Sequence, residues 1–511
     1  MRLRLVPFLL LAALPSCFLL DRRTDENVLM IVVDSLRFDA FSRSLGSAET
    51  PNVHKLIEEG MTYRSCYSQS SVTLPAHAAI LSSRAPNSSG VRNDGQAVSA
   101  DVPLLSQHLK ERGWQTFANV STAELAPPAR DEGIDRGFDT FRTHSRTPAE
   151  ASEVNERVNS FIENAQGGAP WFAYVEYSDP SRADELVGMK EIVAKVYLDG
   201  VLIGNVRTKS AEDWSVKIDA TPGPHRLEFR SDDTFNLRRM EIVSDSVHFT
   251  PKFEHGRLFA PMQSISISFT NDHERPITCR LQAQIRGVQS LAECRARYKA
   301  QVEAVDRAIG EVIETLKKTN QYDRTVIVLT GSHGEALGEH GVTGHDTTLY
   351  DEVLRVPLII KPVANDGRRV ALAKRQFSIV RHIDVAPTIL DMIGQRSMTG
   401  AEGVSILEDV QREVVAESHP PESVSPILAM RDDRYKLVFV AREDRFEMYD
   451  VKSDTLESEN IFPLQGHFRS TWQINLRRLA DAAPQTAKAR PAFAPVVPTG
   501  EQATAPRSAQ K

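Results

Sequence analysis

Cysteine is scarce in this chain of 511 residues, with four in all, and that scarcity excludes a framework of several disulfide bridges. Beyond the N-terminal segment only Cys66, Cys279 and Cys294 remain, an odd number without metal-site spacing. A single Cys279 to Cys294 bridge stays open, whereas Cys66 reads as a small buried apolar residue. Surplus positive charge is also missing. The 61 Lys and Arg against 68 Asp and Glu leave a formal net charge of -7, so no basic field gathers phosphate backbones and nucleic acid is not an expected partner. Long apolar runs are lacking too. The N-terminal run to Leu20 is interrupted by Pro7 and Pro15 and falls short of the roughly 20 residues that a spanning helix needs.

That N-terminal segment has a different reading. Arg2 and Arg4 precede an apolar run from Leu5 to Leu14, followed by Leu14-Pro15-Ser16-Cys17, which is the layout of an export signal. Those four residues resemble a bacterial lipobox, in which Cys17 would be the lipidated first residue of the mature chain. The expectation is a periplasmic or cell-surface protein tethered by lipid, with residues 1–20 as signal and an uncleaved anchor as the alternative.

The body of the chain alternates strand and helix signals. Asn27 to Val33 is a continuous apolar, β-branched run ending in Asp34, as a strand buried on both faces would read, so Asp34 is expected at a strand's carboxyl end. Pro51 to Gly60 reads as a short helix with Thr50 as N-cap and Gly60 as stop. Residues 104–112 and 148–164 are helical in pattern, and Thr116 to Val120 and Trp171 to Tyr177 are extended. After residue 290 the alternation resumes, with Ala292 to Lys318 a long amphipathic helix and Thr325 to Thr330 a second buried strand. Val356 to Ile360 and Lys436 to Val440 add strands, with Val385 to Ile393 a helix between them.

Between residues 183 and 288 the helical pattern disappears. Ala194 to Gly204 reads as a hairpin turning at Asp199-Gly200, and several segments alternate apolar with polar residues. An inserted β-sandwich is expected, either a carbohydrate binder or a spacer. The fold class is therefore α/β: a doubly wound, mainly parallel sheet, with the inserted β-sandwich and a smaller C-terminal α+β part. The expected divisions are 26–182 and 289–480 for the main domain, 183–288 for the insert, and 481–511 for a tail too poor in apolar residues to order itself.

Seven segments in order resemble the sulfatase branch of the alkaline phosphatase superfamily. Val33-Asp34-Ser35-Leu36-Arg37-Phe38-Asp39 resembles the first metal-binding turn, and Thr73 to Ser83 the nucleophile helix. Gly137-Phe138-Asp139 follows, then Ser332-His333-Gly334-Glu335 with Gly338-Glu339-His340-Gly341, which resembles the second metal-binding turn. Leu349-Tyr350-Asp351-Glu352 with Arg355 to Ile359, Asp384 to Asp391, and Arg434-Tyr435-Lys436 with Met448-Tyr449-Asp450 complete the series. The resemblance implies a site at the carboxyl ends of the sheet strands, where open α/β sheets place ligands.

The resemblance also implies chemistry: an exported metal-dependent hydrolase or transferase of sulfate or phosphate esters, on a small molecule or a glycan. The divalent ion, calcium, zinc or manganese, lowers the nucleophile's pKa and screens the anionic substrate. Asp34, Thr73 and His333 match the family's metal ligands. Family members that use formylglycine make it from Cys or Ser, so Thr73 in Thr73-x-Pro75-x-His77 implies an unmodified hydroxyl nucleophile. His77 stands where true sulfatases have Arg, and His345 is a candidate oxyanion or leaving-group contact. Three departures point the other way: Ser332 replaces the Asp expected before His333, Ser181 replaces an oxyanion-binding His, and Ser35 replaces a second Asp. They leave two alternatives, that metal binding is weak or absent and that the chain is a catalytically degenerate binding or scaffold protein. The plainer job for Thr73 is to cap its helix. Nothing in the sequence fixes the oligomeric state.

Overall fold

Val28 to Val33 is apolar at every position, and in the computed structural model this segment is a fully buried strand, Asn27–Val33, in the interior of an eight-stranded sheet. The structure describes residues 26–41, 48–144, 149–165, 168–183, 193–207, 214–243, 248–249, 252–253, 262–271, 273–287, 291–345, 347–419, 425–465 and 469–482. The signal segment with Cys17, and the tail from residue 483, lie outside them. Among the described residues no helix is long and apolar enough to cross a membrane.

The sheet runs in the order Val380–Arg381, Met61–Tyr67, Arg355–Lys361, Thr325–Gly331, Asn27–Val33, Trp171–Tyr177, Gln115–Val120, Thr140–Thr143. Every neighbouring pair is parallel except those made by Arg355–Lys361, which runs against both of its neighbours. Alternation splits the core in two. Val28, Met30 and Val32 face one cluster with Phe172, Tyr174 and the helices Thr73–Ser82 and Val385–Met392. Leu29, Ile31 and Val33 face the other, under helices Ala151–Asn164 and Leu291–Lys318. Helices on both faces make the doubly wound, mainly parallel sheet that was expected.

Several boundaries differ from expectation. Met61–Tyr67 is a strand that the sequence pattern did not indicate, because Arg64 is exposed and few of its residues are aliphatic. Thr50 does not cap the helix Pro51–Glu59 with its side chain; its hydroxyl contacts His54 Nδ1 at 3.1 Å. The last helix, Ser470–Ala482, carries two residues assigned to the tail. Cys279 and Cys294 stand as buried thiols, so the bridge left open between them is not made.

The described residues between 193 and 287 form an antiparallel sheet of eight strands. Asp199 and Gly200 both take positive φ, 50° and 83°, as a two-residue hairpin turn between Val193–Leu198 and Val201–Arg207 requires. The long strand Gly223–Val243 pairs with Met262–Asn271 along its first half and Ile277–Gly287 along its second. One core collects Leu227 and Phe229 from the first half with Ile242 from the second and Leu281 from the strand paired to it, so the sheet folds over itself and encloses apolar side chains as a sandwich does.

The C-terminal part is a four-stranded antiparallel sheet, Val414–Ser418 to Arg445–Asp450, covered by Trp472 and Leu476 of the last helix. A buried charge cluster fastens it to the main sheet. Arg431 Nη1 donates to both oxygens of Asp351 at 2.8 Å, and Lys436 Nζ reaches Asp351 at 3.0 Å and Glu457 at 2.7 Å. Arg431 also lies 4.0 Å over the Tyr67 ring.

Candidate active site

Three parallel strands end together, and the residues that follow two of them enter the site. The backbone N–H of Asp34 donates to Tyr177 O at 2.8 Å and that of Ser332 to Val33 O at 3.0 Å, which sets Asp34 beside Ser332-His333 at the carboxyl edge. Ser35 then turns the chain with φ of 55°, a left-handed conformation uncommon outside glycine. Thr73 arrives from the helix above, whose ten residues are all buried.

Thr73 is not the cap. Val72 holds that position, and Thr73 is the first helical residue, so its hydroxyl points inward, 3.3 Å from Asp34 Oδ2 and 3.4 Å from His333 Nε2. Asp94 caps instead, accepting from the Leu74 N–H at 2.8 Å. Pro75 lacks an N–H and that of Ala76 closes on the Val72 carbonyl, so neither is open to an incoming anion.

The proton arrangement is informative. His333 Nδ1 lies 2.9 Å from the Gly334 carbonyl and must donate to it. Burial and the neighbouring His345 hold the His333 imidazole below its usual pKa, so Nε2 is a bare lone pair. That lone pair faces Asp34 Oδ1 at 3.3 Å. Burial pushes the Asp34 carboxyl up, but nearby imidazoles and the bond from Ser332 outweigh it and keep the pKa below the ordinary value. Two acceptors therefore face each other in the interior, and the hydroxyl protons of Thr73 and Ser332 both point to the carboxylate. A cation would satisfy both. Ligands at about 2.1–2.4 Å from a divalent ion sit roughly 3.0–3.5 Å apart around it; Thr73 Oγ1 lies 3.3 Å from Asp34 Oδ2 and 3.4 Å from His333 Nε2, and His333 Nε2 lies 3.3 Å from the other carboxylate oxygen, Asp34 Oδ1.

The set is small. Among the described residues no group of three or more His, Cys, Asp or Glu side chains is placed to hold a metal. Ser332 is fully buried and donates its hydroxyl to Asp34 Oδ1, occupying an acceptor where an acid would have added charge. Asp346 lies outside the described residues. Thr73 Oγ1, His333 Nε2 and the Asp34 carboxylate are spaced as ligands of a hard cation would be, with its other positions left to water and substrate.

Around this centre the remaining candidates separate. His77, one turn along the helix from Thr73, is fully buried and lies 2.6 Å through Nδ1 from Tyr174 Oη. Its Nε2 has no hydrogen-bond partner among the described residues. Burial pushes His77 down to about 4, so it is a neutral imidazole at physiological pH. The His345 ring stacks on that of His333 with centroids 4.2 Å apart, contacts Glu335 Oε2 at 3.0 Å, and is 23% exposed, which puts it on the open side. Ser181 is spent locally on the Ser178 carbonyl at 2.7 Å.

Sequence reasoning missed Glu176. It is fully buried, and its Oε2 accepts from Ser121 N at 2.6 Å, Ser121 Oγ at 2.9 Å and Thr122 N at 3.2 Å, while Oε1 has no partner among the described residues. Burial first, then the charge of Asp34, pushes its carboxyl up to about 8. A Glu in an otherwise apolar strand was the available signal. His382, a further buried imidazole pushed down to about 3 by burial and by His77, left no such mark.

Comparison with known proteins places this doubly wound fold among the ester hydrolases. The family model described as Sulfatase matches residues 26–194 and 231–395, and that described as N-sulphoglucosamine sulphohydrolase, C-terminal, matches 338–479. The chain belongs to the sulfatase family. It is 24% identical over 456 residues to the choline-sulfatase of Rhizobium meliloti, covering 85% of this chain and 82% of that one. To the N-acetylglucosamine-6-O-sulfatase of Bacteroides thetaiotaomicron it is 23% identical over 483 residues, with the same coverage of 85% and 82%. The phosphonate monoester hydrolase of Silicibacter pomeroyi shares the fold, with a TM-score of 0.58 at 18% identity over 90% of this chain and 96% of that one.

Proposed function

We propose that this chain is an exported, metal-dependent hydrolase of sulfate or phosphate esters in which Thr73 is the nucleophile. One observation carries the reading: the Thr73 hydroxyl leaves the cap position to another residue and touches Asp34 and His333 instead. Asp34, His333 and Thr73 would hold calcium, zinc or manganese, which when bound would acidify the hydroxyl and screen the substrate's charge. Asp34 orients the Thr73 O–H and takes up its proton. Thr73 Oγ1 then bonds to sulfur or phosphorus as the S–O or P–O bond to the ester oxygen breaks. That oxygen leaves as the alcohol with a proton from solvent, and water cleaves the Thr73 ester to free sulfate or phosphate and restore the hydroxyl. His77 offers an N–H to the anionic oxygens, and His345, on the open side, meets the leaving group. Relatives named as sulfatases of choline and of N-acetylglucosamine favour a small-molecule or glycan ester as the substrate. A lipid on Cys17 would place the enzyme at the periplasmic or cell surface, and 183–288 would be a separate insert within a domain of 26–182 and 289–480.

The test is turnover of aryl sulfate, aryl phosphate and phosphodiester substrates by purified protein in each of the three metals, beside Thr73→Ala. Activity that falls at least a thousandfold in the variant, with metal still bound, is expected. Equal rates in both proteins would remove Thr73 from the mechanism. A second reading, a degenerate member that binds its ester without turning it over, is favoured by one observation, the neutral Ser332 bonded to Asp34; tight sulfate binding without turnover in any metal would select it.

A further inference from the structure

The Tyr174 hydroxyl touches no substrate in the scheme above, yet it is fully buried against a side chain that does. Tyr174 lies in the strand Trp171–Tyr177, two residues before Glu176, on the same face as Thr73's helix. Its ring packs between Phe138 and Phe172, with centroids 6.3 and 6.4 Å away, so its hydroxyl is aimed by the core. The imidazole of His77 meets it edge-on, with the rings at 72°. Burial raises Tyr174 well above the ordinary phenol range, so it keeps its proton.

That proton has one acceptor among the described residues, His77 Nδ1 at 2.6 Å. Two arrangements compete. If Tyr174 donates, Nδ1 is a lone pair and the ring hydrogen sits on Nε2, leaving one group without a protein partner. If His77 instead donates from Nδ1, both the Tyr174 hydrogen and the Nε2 lone pair are stranded in a fully buried space. Each stranded buried group destabilises its arrangement, so the first wins. An unpartnered N–H one helical turn from Thr73 is the kind of group that an anionic oxygen would accept from.

We propose that Tyr174 is a positioning residue, which holds His77 as the tautomer protonated on Nε2 so that the site presents a neutral N–H donor to the anionic oxygens of its ester. The inference rests on the ester-binding reading of the site. Its consequence for recognition is that anion binding at this point is set by a hydrogen bond of fixed direction, with no ionisation of His77 required.

The full chain labelled with 15N-histidine reports the tautomer directly from the shifts of the two ring nitrogens. Wild type is expected to show His77 protonated on Nε2 alone, and Tyr174→Phe to lose that state. Inorganic sulfate, titrated calorimetrically into the same proteins, is expected to bind about tenfold more weakly to Tyr174→Phe, while in a His77→Ala background the same change has no further effect. A wild-type His77 protonated on Nδ1, or equal losses from Tyr174→Phe with and without His77, would overturn the proposal. The tautomer is read without variants, so a misfolded Tyr174→Phe does not block the test. It is also read without turnover, so an inactive wild type would fail the catalytic reading and leave the tautomer to be judged by itself.

Discussion

Glu176→Gln perturbs the site's neighbourhood without touching its reactive atoms, and its effect can be worked out in advance. Oε2 of Glu176 already accepts three donors, from Ser121 and Thr122. A glutamine carbonyl can take all three, and its amide nitrogen stands in for the protonated oxygen. In the unfolded chain the carboxyl titrates at its ordinary 4.5, and in the fold burial and then Asp34 raise it to about 8. Between those values the unfolded chain has lost a proton that the native state keeps. Stability is thus fullest below about pH 4.5 and declines as pH rises toward 8, by about 1.4 kcal/mol per unit at most. Relaxation around the buried group trims the ceiling of roughly 4–5 kcal/mol, and about 2–4 kcal/mol is expected at pH 8. Urea unfolding followed by tryptophan fluorescence in EDTA, at intervals from pH 5 to 8.5, measures it. The variant should match wild type near pH 5 and exceed it by about that amount at pH 8. Parallel curves across the range would mean that Glu176 is ionised in the fold, and the argument from its unpartnered oxygen would be wrong.

Ser332→Asp should set a second carboxylate against Asp34, which destabilises the metal-free protein by about 1–3 kcal/mol and raises calcium or manganese affinity at least tenfold; thermal melts with and without metal report both, and no change in either would show that the position is remote from the ion. Both ring nitrogens of His225 face acceptors, Asp199 Oδ2 at 2.6 Å and the Thr221 carbonyl at 2.7 Å. Burial opposes protonation there, but these bonds outweigh it and raise the pKa above 6.5. The resulting stability of the insert is present below pH 6.5 and lost as pH rises through the raised value; His225→Gln should flatten amide-exchange protection of the 193–207 hairpin between pH 6 and 8, and an unchanged pH profile would refute it. Asp94→Ala removes the bond to Leu74 N–H and should cost about 1 kcal/mol in urea unfolding; it should also loosen the Thr73 end of the helix, and a variant as stable as wild type with unaltered activity would show that the cap does not matter.

The parts of the site that were legible are those where chemistry interrupts a buried run. Asp34 follows six buried apolar residues and His333 ends another such run, so both could be placed at the carboxyl edge from periodicity alone. Thr73 was legible as a helix start but ambiguous by one residue, and that residue decides whether its hydroxyl caps or reacts. Strand direction has no periodicity, which is why the reversed Arg355–Lys361 looked like its parallel neighbours. Tyr174 and His77 lie 97 positions apart, and only folding reveals such a pair. In the insert, Gly223–Val243 serves two sets of neighbours along one strand, where local alternation shows separate short segments.

The buried ions joining Asp351 to Arg431, Lys436 and Glu457 bear on how this protein can be cut. A fragment ending before residue 414 would leave Asp351 ionised with both cations gone, a loss that typically costs 3–5 kcal/mol, beside a Tyr67 ring stripped of its guanidinium lid. The terminal sheet is thus a permanent part of the catalytic body, and expression fragments are best drawn to keep residues 26–482 in one piece.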